Sequence, residues 1–438
     1  MMAVTKRHPG RVCVVVLGDV GRSPRMCYHA QSLASRGHPV DVVGYMRKDA
    51  EKLAVARSAT LYPLWQVPGW ISGCPGLLAY LLKALWQAVV LFIILMTLPH
   101  FSSLLMQNPP GVPAMPVCWL ACRLRRARLV VDWHNYSYTI MALSVGRQSP
   151  LVKITRWLEG VFGRRADANL CVTRAMQQDL AKNWGVVAEP LHDRPAARFH
   201  PIPPEETHEL FVRLGKIYQA FSTTVPDRTA FTERHADGSV ALFDDRPGLL
   251  VSGTSWTEDE DFSVLLHALQ EYESAREEGG HDLPRLVCVI TGRGPLKEFY
   301  CQLMERKHWN HVEVLTPWLE EDDYPRLLAS ADLGVSLHTS SSGLDLPMKV
   351  VDMFGAGLPV CAFDFKCLSE LVEHGENGFV FNSASQLAEQ LIAWFRGFPH
   401  SQQMAALRRR FRQRIGEFRS QGWEANWERH ARHLFDDV

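Results

Sequence analysis

Apolar residues along this chain fall into two successive stretches of the same rhythm. The first opens with an apolar run at 11–18 (RVCVVVLG), then a glycine-containing turn, GDVGRSPR, an amphipathic stretch at 24–36 closed by Gly37, and a second apolar run at 39–44 (PVDVVG). Strand, glycine turn, helix, strand is the opening of a doubly wound α/β domain, because unbroken apolar runs suit strands buried on both faces of a parallel sheet. Further strands are predicted at 102–107, 128–132 and 168–172, with helices at 113–125, 150–163 and 174–183. A less patterned, Pro- and charge-containing stretch at 190–246 interrupts the rhythm and holds one helix near 205–220. The rhythm restarts with strands at 248–252, 285–291, 312–315, 333–337 and 359–363, and helices at 260–275, 295–307, 322–331, 347–355 and 384–397. A helical tail rich in Arg, Trp and Gln occupies 402–437.

This pattern predicts an α/β protein of two Rossmann-like domains facing across a cleft. The expected boundaries are 1–200 for the first domain, 201–247 for a linker, 248–400 for the second domain and 401–438 for the tail. Ligands of such sheets bind beyond the carboxyl ends of the strands, so functional residues are sought just after strands.

Composition narrows the class. The 438 residues carry 47 Lys+Arg against 47 Asp+Glu, with 47% apolar and 21% charged residues. Those fractions exclude a mainly disordered chain, a collagen-like fibre and a multi-span membrane protein. Zero net charge argues against nucleic acid as a partner. The average hides a gap: from Ser58 to Cys122 the only Asp, Glu, Lys or Arg is Lys83. Within it, Gly76 to Leu98 is long enough to span a bilayer. A single span would put the strands at 11–18 and 39–44 on the opposite side from those at 102–107 and 128–132, which one sheet needs together. The segment 64–98 is therefore expected to lie on a membrane surface as a helix pair dipping into one leaflet, with Trp65, Trp70 and Trp86 near the headgroups. A buried core helix is the competing expectation. An exposed apolar face would also suit a lipid-borne substrate.

The ten cysteines form no CxxC pair, and several sit in strand-like apolar runs, the usage of a reducing compartment. Cys118 and Cys122 are four apart without metal-binding companions. The N-terminus reads as a buried strand and not as a signal peptide. Asn135-Tyr136-Ser137 matches a glycosylation sequon and reads as a chance match.

In the second domain, Thr291-Gly292-Arg293-Gly294-Pro295-Leu296 lies between a strand and a helix. Its glycines are expected to let the backbone approach a phosphate at the helix start, with Arg293 adding a charge-assisted contact; a plain turn is the bland alternative. Ser340-Ser341-Ser342-Gly343-Leu344-Asp345-Leu346-Pro347-Met348-Lys349-Val350-Val351-Asp352 is a stronger signal. On a helix beginning at Pro347, Lys349 and Asp352 share a face. Ser341, Ser342, Gly343 and Leu344 are expected to present backbone N–H groups as an anion nest. This chemistry fits a nucleotide sugar: Lys349 neutralises a diphosphate, Asp352 accepts from ribose hydroxyls and Asp345 faces the sugar. Ser252 to Phe262 carries hydroxyls, Trp256 and four acids. Asp259 and Glu260 suit the first turn of the next helix, and Ser255 and Thr257 are expected to offer backbone N–H groups.

In the first domain, Gly18-Asp19-Val20-Gly21-Arg22-Ser23-Pro24-Arg25 follows the first strand. Arg22 and Arg25 suit a phosphate-bearing substrate. His134, in Val131-Asp132-Trp133-His134-Asn135, ends a central strand, and an imidazole paired with a carboxylate is a usual general base near neutral pH. Gln107-Asn108-Pro109-Pro110-Gly111 is expected to line the same cleft.

The donor block resembles that of GT-B glycosyltransferases: an acid, a proline, a lysine, a second acid and a G-x-P-V strand start. The family's acids are usually Glu and eight apart, whereas here they are Asp and seven apart. Together VVVLGDVGRSPRM, LLMQNPPGVP, VVDWHNYSY, TSWTEDEDF, VCVITGRGPLKEFY and HTSSSGLDLPMKVVDMFG are similar to the chitobiosyldiphosphodolichol β-mannosyltransferases over nearly the whole chain. That resemblance implies inverting β-1,4 transfer of mannose from GDP-mannose to GlcNAc2-diphosphate-dolichol, in lipid-linked oligosaccharide synthesis for N-glycosylation on the cytosolic face of the endoplasmic reticulum membrane. It implies a glycosyltransferase without cofactor or bound metal, and other early mannosyltransferases of the pathway as partners. Family members usually start with a hydrophobic anchor, which is not read at the start of this sequence; a truncated chain, an alternative start, and attachment by the 64–98 region alone are the three expectations. His134 is the expected base, Asp19 the second candidate, and Asp345 a further catalytic candidate. Gly292, Arg293, Gly294, Ser341, Ser342, Lys349 and Asp352 are expected to hold the donor, and Gly18, Gly21, Arg22 and Arg25 the acceptor. Two other readings stay open: a GT-B enzyme using another nucleotide sugar or lipid acceptor, and a non-catalytic homologue in a glycosyltransferase complex.

Overall fold

The computed structural model describes residues 9–46, 54–258, 260–320 and 322–436. Its internal contacts divide the chain into two units, Met1–Asp193 with Trp423–Val438, and Arg194–Gly422.

The first unit is built on seven strands: β1 (Val12–Asp19), β2 (Val40–Tyr45), β3 (Thr60–Pro63), β4 (Ser103–Asn108), β5 (Arg128–Trp133), β6 (Ala168–Cys171) and β7 (Glu189–Pro190). They pair in the order β3-β2-β1-β4-β5-β6-β7, all parallel. Around them lie α1 (Pro24–Ser35), α2 (Gly69–Ser72), α3 (Gly76–Thr97), α4 (Ala114–Arg125), α5 (Ser137–Val145), α6 (Pro150–Gly163) and α7 (Arg174–Trp184). The unbroken apolar letters of β1 and β4 are explained by burial: Val12 to Val16 and Leu104 to Met106 are shielded on both faces. The order in which successive strands are added reverses between β1 and β4, so the carboxyl ends of those strands form the switch point of this unit. A hydrogen bond from Ser23 Oγ to Gln107 Oε1 at 2.8 Å ties the two ends together.

The charge-poor segment forms the short α2 and the long α3. The helix pair expected for 64–98 is present. The last turns of α3 bury Val90, Leu91, Ile94 and Leu95, and Arg125 donates to the carbonyls of Met96, Leu98 and Pro99 to fix its end. Leu78, Leu81, Leu85, Val89, Ile93 and Met96 recur every three or four residues and are exposed, a continuous apolar stripe on the outward face. Only 22% of the most apolar window of α3 is buried, which a core helix would not allow. Trp65 and Trp70 are exposed as expected. Trp86 is half-buried with its indole N–H shielded, so it does not join them.

The second unit begins with α8 (Pro204–Gly215) and the antiparallel hairpin β8 (Thr232–Arg234) and β9 (Val240–Leu242). Its sheet comprises β10 (Gly248–Gly253), β11 (Leu286–Thr291), β12 (Val312–Leu315), β13 (Leu333–Ser336), β14 (Val360–Phe363) and β15 (Gly378–Phe381). The order is β12-β11-β10-β13-β14-β15, again all parallel, the 3-2-1-4-5-6 order of a Rossmann fold. The helices are α9 (Phe262–Glu277), α10 (Lys297–Glu305), α11 (Asp323–Ser330), α12 (Met348–Gly355), α13 (Ala384–Phe395) and α14 (Gln402–Ser420). A last helix, α15 (Trp423–His430), belongs to the first unit.

Three expectations about domain limits are corrected. The division falls between Asp193 and Arg194, not at 200. Residues 201–247 are more than a linker and contribute to the core: Leu210, Phe211, Leu214, Phe221 and Phe231 are buried with Leu249 and Val251 of β10, and the rings of Phe211 and Phe231 are 4.9 Å apart. Their apolar spacing is interrupted by prolines and charges, which disguised it. The tail is two pieces. Phe411 and Ile415 of α14 pack in the second unit, whereas Trp423, Trp427 and Phe435 pack on the first. Trp423 Nε1 donates to Ser32 Oγ at 3.0 Å and Trp427 Nε1 to His29 Nδ1 at 2.9 Å. The ten cysteines are thiols, none of them joined in a disulfide. The sequon asparagine is buried, its Oδ1 accepting the N–H of Tyr136.

Candidate active site

In the first unit the chemistry converges on Asp132, near the carboxyl end of β5. Residues two apart along a strand face the same side, and His134 follows Asp132 by two; its Nε2 lies 2.8 Å from Asp132 Oδ2. The same carboxylate receives Arg25 Nε at 2.8 Å and Nη2 at 3.0 Å, and meets His29 Nε2 at 3.1 Å. Burial would push the Asp132 carboxyl up, but the Arg25 guanidinium and the hydrogen bonds from His134 and His29 outweigh it and hold it well below the usual carboxylate range. Burial pushes the His29 imidazole down. Because its Nδ1 accepts the Trp427 indole proton, neutral His29 carries its own proton on Nε2 and donates to Asp132. An ionised Asp132 only accepts, so His134 also donates through Nε2 and keeps its Nδ1 lone pair. That geometry leaves an imidazole nitrogen able to take a proton, with 21% of the side chain exposed.

The other first-unit candidates divide. Arg25 is not available to an acceptor: it is buried, bidentate on Asp132, and its Nη1 is committed to Leu191 O at 2.7 Å and Asp193 Oδ1 at 2.9 Å. Sequence could not separate it from Arg22, whose side chain is 76% exposed and lies 3.8 Å from Asp19. The N–H of Gly21 is occupied by Asp19 Oδ1 at 3.0 Å, so this pair caps a turn, and Gly21 has no amide proton left for a ligand. Gly18 lines an open cavity with Leu17, Tyr45, Gln66, Val67, Lys83 and Gln87. Asn108 does not line a surface. It is buried, and its amide donates to Asn135 O at 3.1 Å and to the buried Glu159 at 2.8 Å.

In the second unit the site residues gather beyond the carboxyl ends of β11, β10 and β13, the last two being its switch point. α12 begins after Pro347 as expected, and Lys349 emerges from its first turn. Its ammonium is ion-paired to Glu260. Glu260 was expected as a helix-start acid, but that role belongs to Asp261, which accepts the N–H of Ser263 at 2.9 Å. Glu260 is buried and also takes the Thr254 hydroxyl and the N–H of Ser255 at 2.8 Å. The Ser255 N–H is therefore not offered to a donor. Asp259 lies outside the described residues.

The reasons for several motif letters change as well. A Cβ at Gly292 would sit 1.8 Å from Thr254 O, and one at Gly294 would sit 1.7 Å from Ser255 O. These glycines let two loops of the protein meet; close approach to a ligand is not what requires them. Arg293 is exposed, with its guanidinium 3.2 Å from the centre of the Trp318 ring, a partner the sequence did not suggest. In the serine loop, the N–H groups of Ser342, Gly343 and Leu344 turn inward onto Ser340 Oγ at 3.3, 2.8 and 3.3 Å. The expected nest is thus filled by the Ser340 hydroxyl, which also donates to Asp345. His338 stands 3.7 Å from the other Asp345 oxygen. Asp352 is half-buried on α12, one turn along from Lys349. Half-buried Tyr324, whose hydroxyl is pushed up by desolvation and by the charge of Asp352, completes the surroundings.

Two doubly wound parallel sheets, each with polar residues at its switch point, are the architecture of the GT-B glycosyltransferases. Family models agree: "Glycosyl transferase 4-like domain" matches residues 21–197 and "Glycosyl transferases group 1" matches residues 246–396. The structure of Anabaena HepE in complex with UDP and glucose has this fold, with a TM-score of 0.67, 16% identity, and coverage of 97% of this chain and 99% of that one. A Mus musculus protein named chitobiosyldiphosphodolichol beta-mannosyltransferase is 50% identical over 96% of this chain and 89% of its own length. An Arabidopsis thaliana relative named UDP-glycosyltransferase TURAN is 43% identical over 98% of each. The chain belongs to the chitobiosyldiphosphodolichol beta-mannosyltransferase family.

Proposed function

We propose that the protein transfers mannose from GDP-mannose to the 4-hydroxyl of the outer GlcNAc of GlcNAc2-diphosphate-dolichol, with inversion to a β-1,4 link. The observation that carries this reading is the Asp132–His134 pair at 2.8 Å, an imidazole oriented by an ionised carboxylate. In a single displacement the acceptor oxygen bonds to the anomeric carbon as the bond from that carbon to the diphosphate breaks. The hydroxyl proton passes to His134 Nδ1, and GDP departs with the bonding electron pair. Lys349 and Arg293 supply positive charge to the departing diphosphate, and Asp352 suits the ribose hydroxyls. Asp345, fixed by Ser340, faces the sugar. With two cationic side chains in that role the reaction needs no metal, and activity is expected to survive chelation by EDTA.

The exposed stripe of α3 supports a seat on a membrane surface, and the free thiols suit the cytosolic face of the endoplasmic reticulum membrane. The test is product analysis with GDP-[14C]mannose, a panel of UDP-sugars and a phytanyl-linked GlcNAc2-diphosphate acceptor. A β-1,4-mannosyl product is expected. Transfer from UDP-sugars but not from GDP-mannose overturns the reading.

A further inference from the structure

With Arg25 committed inside the fold, exposed Arg22 is what remains of the expected arginine pair, and a phosphate-bearing acceptor calls for further positive charge. Lys83 is the only charged residue between Ser58 and Cys122. It lies on α3 and is exposed, with no ion pair or hydrogen bond among the described residues. It lines a cavity of about 410 Å³ with Gln87, Tyr45, Leu17, Gly18, Gln66 and Val67. At 100° per residue, Lys83 and Gln87 fall on the side of α3 opposite the stripe of Leu81, Leu85 and Val89. The helix thus presents apolar side chains outward and one ammonium inward. Gln87 Nε2 donates to the Tyr45 hydroxyl at 3.2 Å, which leaves the phenolic proton available as a donor.

The opposite wall is the end of β1. Leu17 and Gly18 have no partner in the register with either neighbouring strand, because the β1–β2 pairing slips between Val16 and Asp19 and the β1–β4 pairing ends at Val15. Their backbone groups lie in a bulge beside the cavity. Nothing in the fold requires glycine at position 18: a Cβ there would meet only Val16 Cγ1 at 3.9 Å. The cavity also borders Gln66 and Val67, flanked by exposed Trp65 and Trp70, the residues that settle at headgroup depth.

We propose that Lys83, Tyr45, Gln87 and the Leu17–Gly18 bulge form an anion site for the diphosphate of the lipid-borne acceptor. This deepens, and rests on, the function proposed above. Lys83 is a point charge with three donors, suited to a phosphate group that must bind and leave. The same chemistry would hold the phosphate of an anionic membrane lipid, and the test separates the two.

The full-length protein and its Lys83→Gln, Lys83→Arg and Gly18→Val variants are compared for binding and KM of the phytanyl-linked GlcNAc2-diphosphate acceptor in neutral detergent. Flotation with phosphatidylcholine vesicles, with and without phosphatidylserine, runs in parallel. Losing one charge-assisted contact is expected to weaken acceptor binding and raise its KM about tenfold in Lys83→Gln, with the donor KM unchanged, and Lys83→Arg is expected to restore most of it. Gly18→Val is expected to raise the acceptor KM by narrowing the cavity. Unchanged acceptor binding in Lys83→Gln overturns the site, as does a defect confined to flotation with phosphatidylserine. Wild-type protein that binds the acceptor but does not transfer mannose to it overturns the proposed function and leaves the site standing.

Discussion

Lys349 and Glu260 form an ion pair across 89 residues of sequence, the carboxylate almost wholly buried and the ammonium a quarter exposed. The lysine's charge is therefore aimed by a residue that also holds the β10–α9 loop through Thr254 and Ser255. Glu260→Gln keeps hydrogen-bonding capacity but removes the counter-charge. It is expected to raise the donor KM several-fold with little change in the acceptor KM. Glu260→Ala leaves buried donors unsatisfied and should lower unfolding stability by about 2–3 kcal/mol, read by denaturant titration. An unchanged donor KM in Glu260→Gln would show that the charge is immaterial.

His134→Ala removes the oriented base while leaving Asp132 paired to Arg25 and His29. A fall in kcat of about 10²–10⁴ is expected, with donor binding retained. Steady-state kinetics together with GDP binding by calorimetry distinguish this from misfolding.

Arg25 and Arg22, three residues apart, should behave oppositely. Arg25→Ala strands buried Asp132 without its guanidinium and should cost about 3–5 kcal/mol of stability. Arg22→Ala should change stability by less than about 0.5 kcal/mol, as an exposed site does. Thermal melts of the two variants check this.

Burial holds the His29 imidazole below its ordinary 6.5. Below 6.5 the unfolded chain takes a proton that folded His29 refuses, so its contribution is present above 6.5 and fades as pH falls toward the lower folded value. Asp132, depressed by Arg25 and its histidine partners, acts in a more acid window and keeps its contribution until pH falls below the usual carboxylate range. Denaturant midpoints at pH 7 and pH 5 should therefore drop more in wild type than in His29→Gln.

The stripe on α3 predicts a surface role without a folding role. Leu81→Glu with Leu85→Glu places two charges where leucines are exposed, and should abolish vesicle flotation while the melting temperature holds. A large fall in melting temperature would instead mean that this face is packed in the native protein.

The rhythm of apolar runs was enough to read both Rossmann-like sheets, nearly all their strands and the proline that starts α12, because burial on both faces and helix starts are local properties of sequence. The lone lysine in a charge-free segment and the His two residues after an Asp were equally visible. Tertiary structure alone decided which charges were free. Arg22 and Arg25 read alike in the sequence, but Arg25 is buried on Asp132; Glu260 reads as a helix-start acid, but α12 brings Lys349 to it. The short strands β3, β7 and β15, the core role of 201–247 and the division of the tail into α14 and α15 were also settled by packing. Each depends on partners distant in the chain, and a carboxylate's partner is fixed by the fold that desolvates it, not by its neighbours in sequence.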